Sequence, residues 1–117
     1  MIYLEDRFEI SELMDFYAPL LTEKQLNIMN MYFNDDLSLA EIAELNHTSR
    51  QAIHDSIKRC YKQLRCHEEK LRLKEKYFKR ESLKENFIKN LKKNNTDNLS
   101  DELIEQIDKS IEEIINI

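Results

Sequence analysis

A chain of 117 residues buries about two thirds of its unfolded surface, enough for one modest core and too little for two full domains. With no glycine, no valine, no tryptophan and one proline, it cannot build the phosphate-cradling loops or dinucleotide fingerprints that need positive φ or close backbone approach; Ile, Leu, Lys, Glu and Asn dominate, and an all-α fold is expected. The net charge of −5 is unevenly spread, since residues 1–47 carry 2 basic and 10 acidic side chains, residues 48–93 carry 15 and 6, and residues 94–117 carry 1 and 7; the basic middle either faces phosphates or is neutralised by the chain's own acidic ends.

Met1 to Ile10 is acidic and lacks both a basic n-region and a continuous apolar h-region, and no later segment approaches the ~20 apolar residues of a membrane span. A cytoplasmic location follows as the expectation. The first helix is predicted over Leu4 to Tyr17, with Leu4, Phe8, Leu13, Phe16 and Tyr17 toward one side, and it stops near Pro19, which disfavours helix at Ala18. The second opens at Thr22, where Thr22 and Gln25 have capping-box spacing, and buries Leu26, Met29 and Phe33. The Asn34-Asp35-Asp36 cluster breaks it. Ser38 and Glu41 form a second capping box for a short helix that carries Leu39, Ile42 and Ala43 inward and ends near Leu45.

The fourth helix starts at Ser49 and, with no breaker in its path, is predicted to run past Leu71 toward Phe78. At about 100° per residue, Ile53, Ile57, Cys60 and Leu64 share one stripe while Gln51, Asp55, Lys58 and Lys62 share the opposite one. Cys60 and Cys66 lie six residues apart on this helix, about 9 Å of rise, too far for a disulfide, so both are expected as free thiols. Ser82 with Glu85 marks a fifth start, with Leu83, Phe87, Ile88 and Leu91 behind it. Lys92 to Asn98 reads as a polar loop. The last helix, from Ser100, is the most amphipathic: Leu103, Ile104, Ile107, Ile111, Ile114 and Ile115 fall on one face that must pack on the bundle or on a second copy.

Residues 38–59, SLAEIAELNHTSRQAIHDSIKR, read as a helix-turn-helix. Such a motif needs a small residue where the second helix crosses the first, supplied by Ala43, then a tight turn, then a capped second helix anchored by Ile53 and Ile57. Ser49 supplies the cap. Arg50, Gln51, His54, Lys58 and Arg59 are then the candidate nucleic-acid-binding residues near the N-terminal end and outer face of that helix, because Arg and Lys meet phosphates and guanine and Gln pairs with adenine. Lys58, Arg59, Lys62 and Arg65 continue a basic edge. Asp55 in the middle of the face and the acidic first block oppose phosphate approach.

The segment LTEKQLNIMNMYFNDDLSLAEIAELNHTSRQAIHDSIKRCYKQL, Leu21 to Leu64, resembles region four of bacterial sigma factors, the module that reads an upstream promoter element. The layout of the whole chain, with IYLEDRFEISELMDFYAPLLTEKQ at its start and SRQAIHDSIKR in the middle, more closely resembles the YlxM family of small helix-turn-helix proteins. That resemblance implies a regulatory protein linked to the signal recognition particle pathway. Two residues depart from the general motif: His47 stands at the turn position where Gly is usual, and Asn46 where a large apolar residue commonly closes the turn.

Cys60, Cys66 and His67 do not make a metal site, since Cys60 and His67 are seven residues apart, about 10.5 Å along a helix axis. No carboxylate is set with a nucleophile or a His so as to specify a pocket, so no enzyme activity and no cofactor are expected. Met14, Met29 and Met31 read as core filling. The expected organisation is a sigma-region-four-like helix-turn-helix domain over residues 1–66 and a C-terminal helical extension over 67–117. The expected function is non-enzymatic regulation through nucleic acid, DNA ahead of RNA, with signal recognition particle components and a second copy of the chain as further candidate partners; the alternative is an adaptor that uses the helix-turn-helix as a scaffold for docking on protein or RNA.

Overall fold

The computed structural model describes the backbone of residues 4–94 and 99–117 and the side chains of 7–94 and 99–117. Six α-helices and no strand occur among them: α1 Leu4–Tyr17, α2 Glu23–Phe33, α3 Leu39–Leu45, α4 Arg50–Leu71, α5 Leu73–Lys93 and α6 Asp101–Ile115, with one 3₁₀ turn at Ala18–Leu20. The chain is all-α, as its composition implies. Among the described residues no helix is long and apolar enough to cross a membrane. The chain forms two compact units, residues 1–74 and 75–117.

In the first unit α4 is the element on which α1, α2 and α3 all pack. Its buried stripe is Ile53, Ile57, Cys60 and Leu64, the four side chains that the helical period brings to one face. Against it lie Ile28 and Met29 from α2 and Ile42 and Ala43 from α3; Leu26, Phe33 and Leu39, expected inside, are half-buried. The buried stripe of α1 is not the expected one. Phe8 is 73% exposed, whereas Ile10, Leu13 and Tyr17 are buried. Ile10, Leu13 and Tyr17 follow the three-and-four spacing of one stripe, and Phe8, two residues before Ile10, lies about 200° round the helix from it. The Leu4 side chain lies outside the described residues. Arg7 ties α1 to the end of α2: its guanidinium donates to the Tyr32 carbonyl (3.3 Å) and to Asp36 Oδ1 (3.1 Å) and covers the Tyr32 and Phe33 rings.

The two capping boxes form as their spacing predicts, Thr22 with Gln25 and Ser38 with Glu41. Each satisfies amide donors that a helix start leaves without a partner. Cys60 and Cys66 are free thiols, the first buried and the second exposed, and burial pushes the Cys60 thiol above its ordinary value.

The fourth helix is long but does not continue to Phe78. It ends at Leu71, Arg72 takes the left-handed conformation (φ 53°), and α5 begins at Leu73 rather than at Ser82. No local breaker causes this; the tertiary structure supplies one. The buried Tyr17 hydroxyl donates to Glu68 Oε1 (2.5 Å) and accepts from the Leu73 amide (3.1 Å), and the same Glu68 oxygen accepts from the Lys74 amide (3.0 Å). These two partners cap the first turn of a new helix, which offsets the cost of about 1–2 kcal/mol for a side-chain-bearing residue in the left-handed region. Lys74 Nζ also pairs with Glu12 on α1 (3.6 Å).

In the second unit α5 and α6 form an antiparallel pair, since Lys84 reaches Asp108 and Glu112 while Ile88 and Lys92 line a depression with Asp101 and Ile104. Leu83 and Phe87, expected behind α5, are 60% and 50% exposed; the residues turned inward are Lys84, Ile88 and Leu91. On α6 Ile104 is buried, Ile107, Ile111 and Ile115 are half-buried, and Leu103 and Ile114 are exposed. The helix α5 runs to Lys93, so Lys92 and Lys93 are helical, and residues 95–98 of the expected loop lie outside the described residues.

Candidate nucleic-acid interface

The site is built on the turn between α3 and α4. The helix α3 ends in two paired bonds, Thr48 N–H to the Ala43 carbonyl (2.9 Å) and His47 N–H to the Glu44 carbonyl (3.3 Å). This is the Schellman closure of a helix C-terminus, and it needs a left-handed residue between the cap and the exit. His47 fills that position with φ 54°. Asn46, at the place of the usual apolar plug, is half-buried and donates to the Ile42 carbonyl (2.7 Å) with Met31 Sδ 3.9 Å away. The two unusual residues therefore close the turn by hydrogen bonding, at the conformational cost of one His in the left-handed region. His47→Gly is expected to raise thermal stability by up to about 1 kcal/mol, read by urea or thermal unfolding; a loss of stability would mean that the imidazole contributes more than its backbone strain costs.

Ser49 then opens α4, its hydroxyl accepting the Ala52 amide (3.1 Å). With Ile53 and Ile57 facing inward, Ala52, His54 and Ser56 lie half-buried beside the stripe and the positions opposite it are presented outward. Arg50, Gln51, Lys58 and Arg59 are exposed, as is Lys62 one turn on. Among the described residues none of Arg50, Lys58, Arg59 and Lys62 has an ion-pair partner. Gln51 Nε2 donates to Asp55 Oδ1 (3.0 Å), so the one carboxylate on this face holds the amide in place and leaves its oxygen and second N–H free. Arg59 lies nine residues after Arg50, about 180° round the helix, so these two bound opposite flanks while Gln51 and Lys58 lie between them.

His54 differs from its neighbours. Its side chain is 27% exposed, its Nδ1 is enclosed without a hydrogen-bond partner, and it stands 3.7 Å from Asp55 Oδ1. It sits at the edge of the core stripe and not on the open face. Arg59, in turn, lines a shallow depression with Thr22 and Lys24 at the start of α2, which places a further cation from a distant part of the sequence beside the candidate set. Nothing in the local pattern marks Lys24; the 34 residues between it and Arg59 are spanned by the fold alone.

The acidic first block meets α4 farther along. Glu9 accepts from the Tyr61 hydroxyl (2.8 Å) and stands 4.0 Å from Arg65, which covers the Tyr61 ring. Arg65 of the expected basic edge is thus partly neutralised. Among the described residues no group of three or more His, Cys, Asp and Glu side chains is placed to hold a metal ion.

With this geometry in place, comparison with known proteins adds one consistent finding. A family model described as "UPF0122: Putative helix-turn-helix protein, YlxM / p13 like" matches residues 4–114. A UPF0122 protein of Clostridium perfringens strain SM101 is 57% identical over 113 residues, covering 97% of this chain and 99% of its own. One from Clostridium botulinum strain Alaska E43 is 62% identical over 85 residues, 73% of this chain and 78% of its own, and one from Clostridium acetobutylicum is 55% identical over 83 residues, 71% and 72%.

Proposed function

Because the chain belongs to the YlxM/p13-like helix-turn-helix family, we propose that it is a non-enzymatic cytoplasmic regulator that binds duplex DNA through the first turns of α4, as a homodimer. Arg50, Gln51, Lys58 and Arg59 are the contact set, with His54 buttressing the helix from its flank. The observation that carries this reading is the exposed, unpaired state of Arg50, Lys58, Arg59 and Lys62 among the described residues, while Glu9 engages α4 at Arg65, roughly two turns beyond Lys58. Three of these cations meet phosphates, Gln51 in its Asp55-held pose pairs with an adenine edge, and two copies present two such helices to a duplex. The likeness of Leu21 to Leu64 to region four of sigma factors supports the same orientation of α4.

In a salt titration of binding to genomic duplex fragments, Lys58→Ala and Arg59→Ala are each expected to weaken binding across sequences and to reduce the salt slope by about 1. Gln51→Ala is expected to relax base preference at one position by about 1–3 kcal/mol, read by selection and sequencing of bound fragments. Binding that is absent, or insensitive to salt, would refute the reading.

A second reading, an adaptor that docks on the protein or RNA of the signal recognition particle, is favoured for its protein arm by one observation: residues 1–47 carry 10 acidic side chains against 2 basic ones, a charge that repels DNA and RNA alike and suits a basic protein surface. Retention of the particle's protein or RNA in a pull-down, unaffected by Gln51→Ala, would select it.

A further inference from the structure

The second unit does not bury its own apolar surface. Ile104 is its single buried side chain among the described residues, whereas Leu83, Phe87, Leu103 and Ile114 are 60%, 50%, 41% and 70% exposed. These four are not scattered. Leu83 and Phe87 are one turn apart on α5, and Leu103 and Ile114, eleven residues apart, fall within about 20° of each other on α6. Each helix thus has a second apolar stripe beside the one turned toward its neighbour. A helical pair of this size has too small a core to stand on and gains its stability by association.

The charges identify what covers those stripes. The helix α5 carries 8 basic and 3 acidic side chains and α6 carries 1 and 6, so the two have equal and opposite net charge. Within the pair, Lys84 absorbs part of it, gathering Glu81, Asp108 and Glu112 around one ammonium. Lys76, Lys79, Lys89, Lys92 and Lys93 have no ion pair among the described residues. A surface that is half basic and half acidic in equal measure is complementary to itself under a two-fold rotation, which brings each α5 onto the other chain's α6.

We infer that residues 75–117 pair with the same residues of a second chain, α5 of each lying on α6 of the other, with Leu83, Phe87, Leu103 and Ile114 at the centre and the unpaired lysines against the carboxylates of α6. This assigns the interface of the homodimer in the proposed function and rests on that part of it alone, since neither partner in the contact is nucleic acid.

The test reads mass, not DNA affinity. Sedimentation equilibrium of the full chain is expected to give a dimer, and Leu83→Glu with Phe87→Glu to raise its dissociation constant at least about tenfold with helicity by circular dichroism unchanged. A charge exchange guards against a variant that fails to fold: Lys76→Glu with Lys79→Glu in one chain and Glu102→Lys with Glu113→Lys in another are each expected to weaken self-association, and an equimolar mixture to recover the dimer mass. A wild-type monomer at about 100 µM, well above the range of a standard-sized specific interface, would overturn both the dimer and its interface. A dimer indifferent to the apolar substitutions, or a mixture that stays monomeric, would overturn the interface and leave the dimer.

Discussion

Replacing Ile57 with alanine is expected to lower the stability of the first unit by about 2–5 kcal/mol, the range for truncating a fully buried aliphatic side chain that its surroundings cannot collapse onto. Ile57 is 1% exposed and sits in the one stripe on which α1, α2 and α3 converge. Small domains have about 5–15 kcal/mol in total, so this single change removes a large part of the margin. Urea denaturation followed by circular dichroism should show a lower midpoint with an unchanged slope. Lys58→Ala, on the outer face of the same helix, should leave the midpoint within about 0.5 kcal/mol of wild type. An unmoved midpoint for Ile57→Ala would mean that α4 is not the core element described here.

Tyr17→Phe is the second large effect. The ring stays, the core volume is nearly unchanged, and what goes is the hydroxyl that donates to Glu68 and accepts the Leu73 amide. Leaving a part-buried amide short of its partner costs about 1–3 kcal/mol, and the loss should appear locally as faster hydrogen exchange at Leu73. The same hydroxyl predicts a pH dependence. Burial first, then its hydrogen bond to the Glu68 carboxylate, raise the Tyr17 phenol above its ordinary value of 10.0, against the opposing amides of Leu73 and Lys74. Below 10 the phenol is protonated in both folded and unfolded chains and its contribution is complete. As pH climbs through the raised folded value the contribution is lost, so stability should fall above pH 10. Cys60 acts in the same direction from its own ordinary value of 9.0 upward, and the difference between wild type and Tyr17→Phe isolates the tyrosine. Equal alkaline profiles for the two proteins would remove Tyr17 from this role.

What could be read from the residues alone was whatever depends on short-range spacing. Ile53, Ile57, Cys60 and Leu64 recur at the helical period, and all four are buried; Thr22 with Gln25 and Ser38 with Glu41 stand at the spacing of a capping box, and both boxes form. His47 stands at the turn position where Gly is usual, and it takes the left-handed conformation that Gly would take there. Features set by distant partners were not readable. Phe8 and Ile10 are equally apolar, and which of them is buried depends on the face of α1 that α4 meets. Arg72 looks like any helical arginine until Tyr17, 55 residues earlier, caps the amides beyond it. The candidate face divides in the same way: Arg50, Gln51, Lys58 and Arg59 are exposed as helical spacing requires, His54 falls on the border of the stripe, and Lys24 joins Arg59 through tertiary structure alone.

The break at Arg72 also bears on the order in which the molecule assembles. Residues 50–93 contain good helix formers throughout, and local preference extends a single rod through Arg72, since helix elongation takes nanoseconds per residue. The bond from the Leu73 amide to the Tyr17 hydroxyl requires the closure of a long loop, because that tyrosine belongs to the first helix of the chain, whereas the bond from the Lys74 amide to Glu68 is local. The end of α4 at Leu71 is therefore fixed only after α1 has docked, so the break reports on a first unit whose helices have already come together.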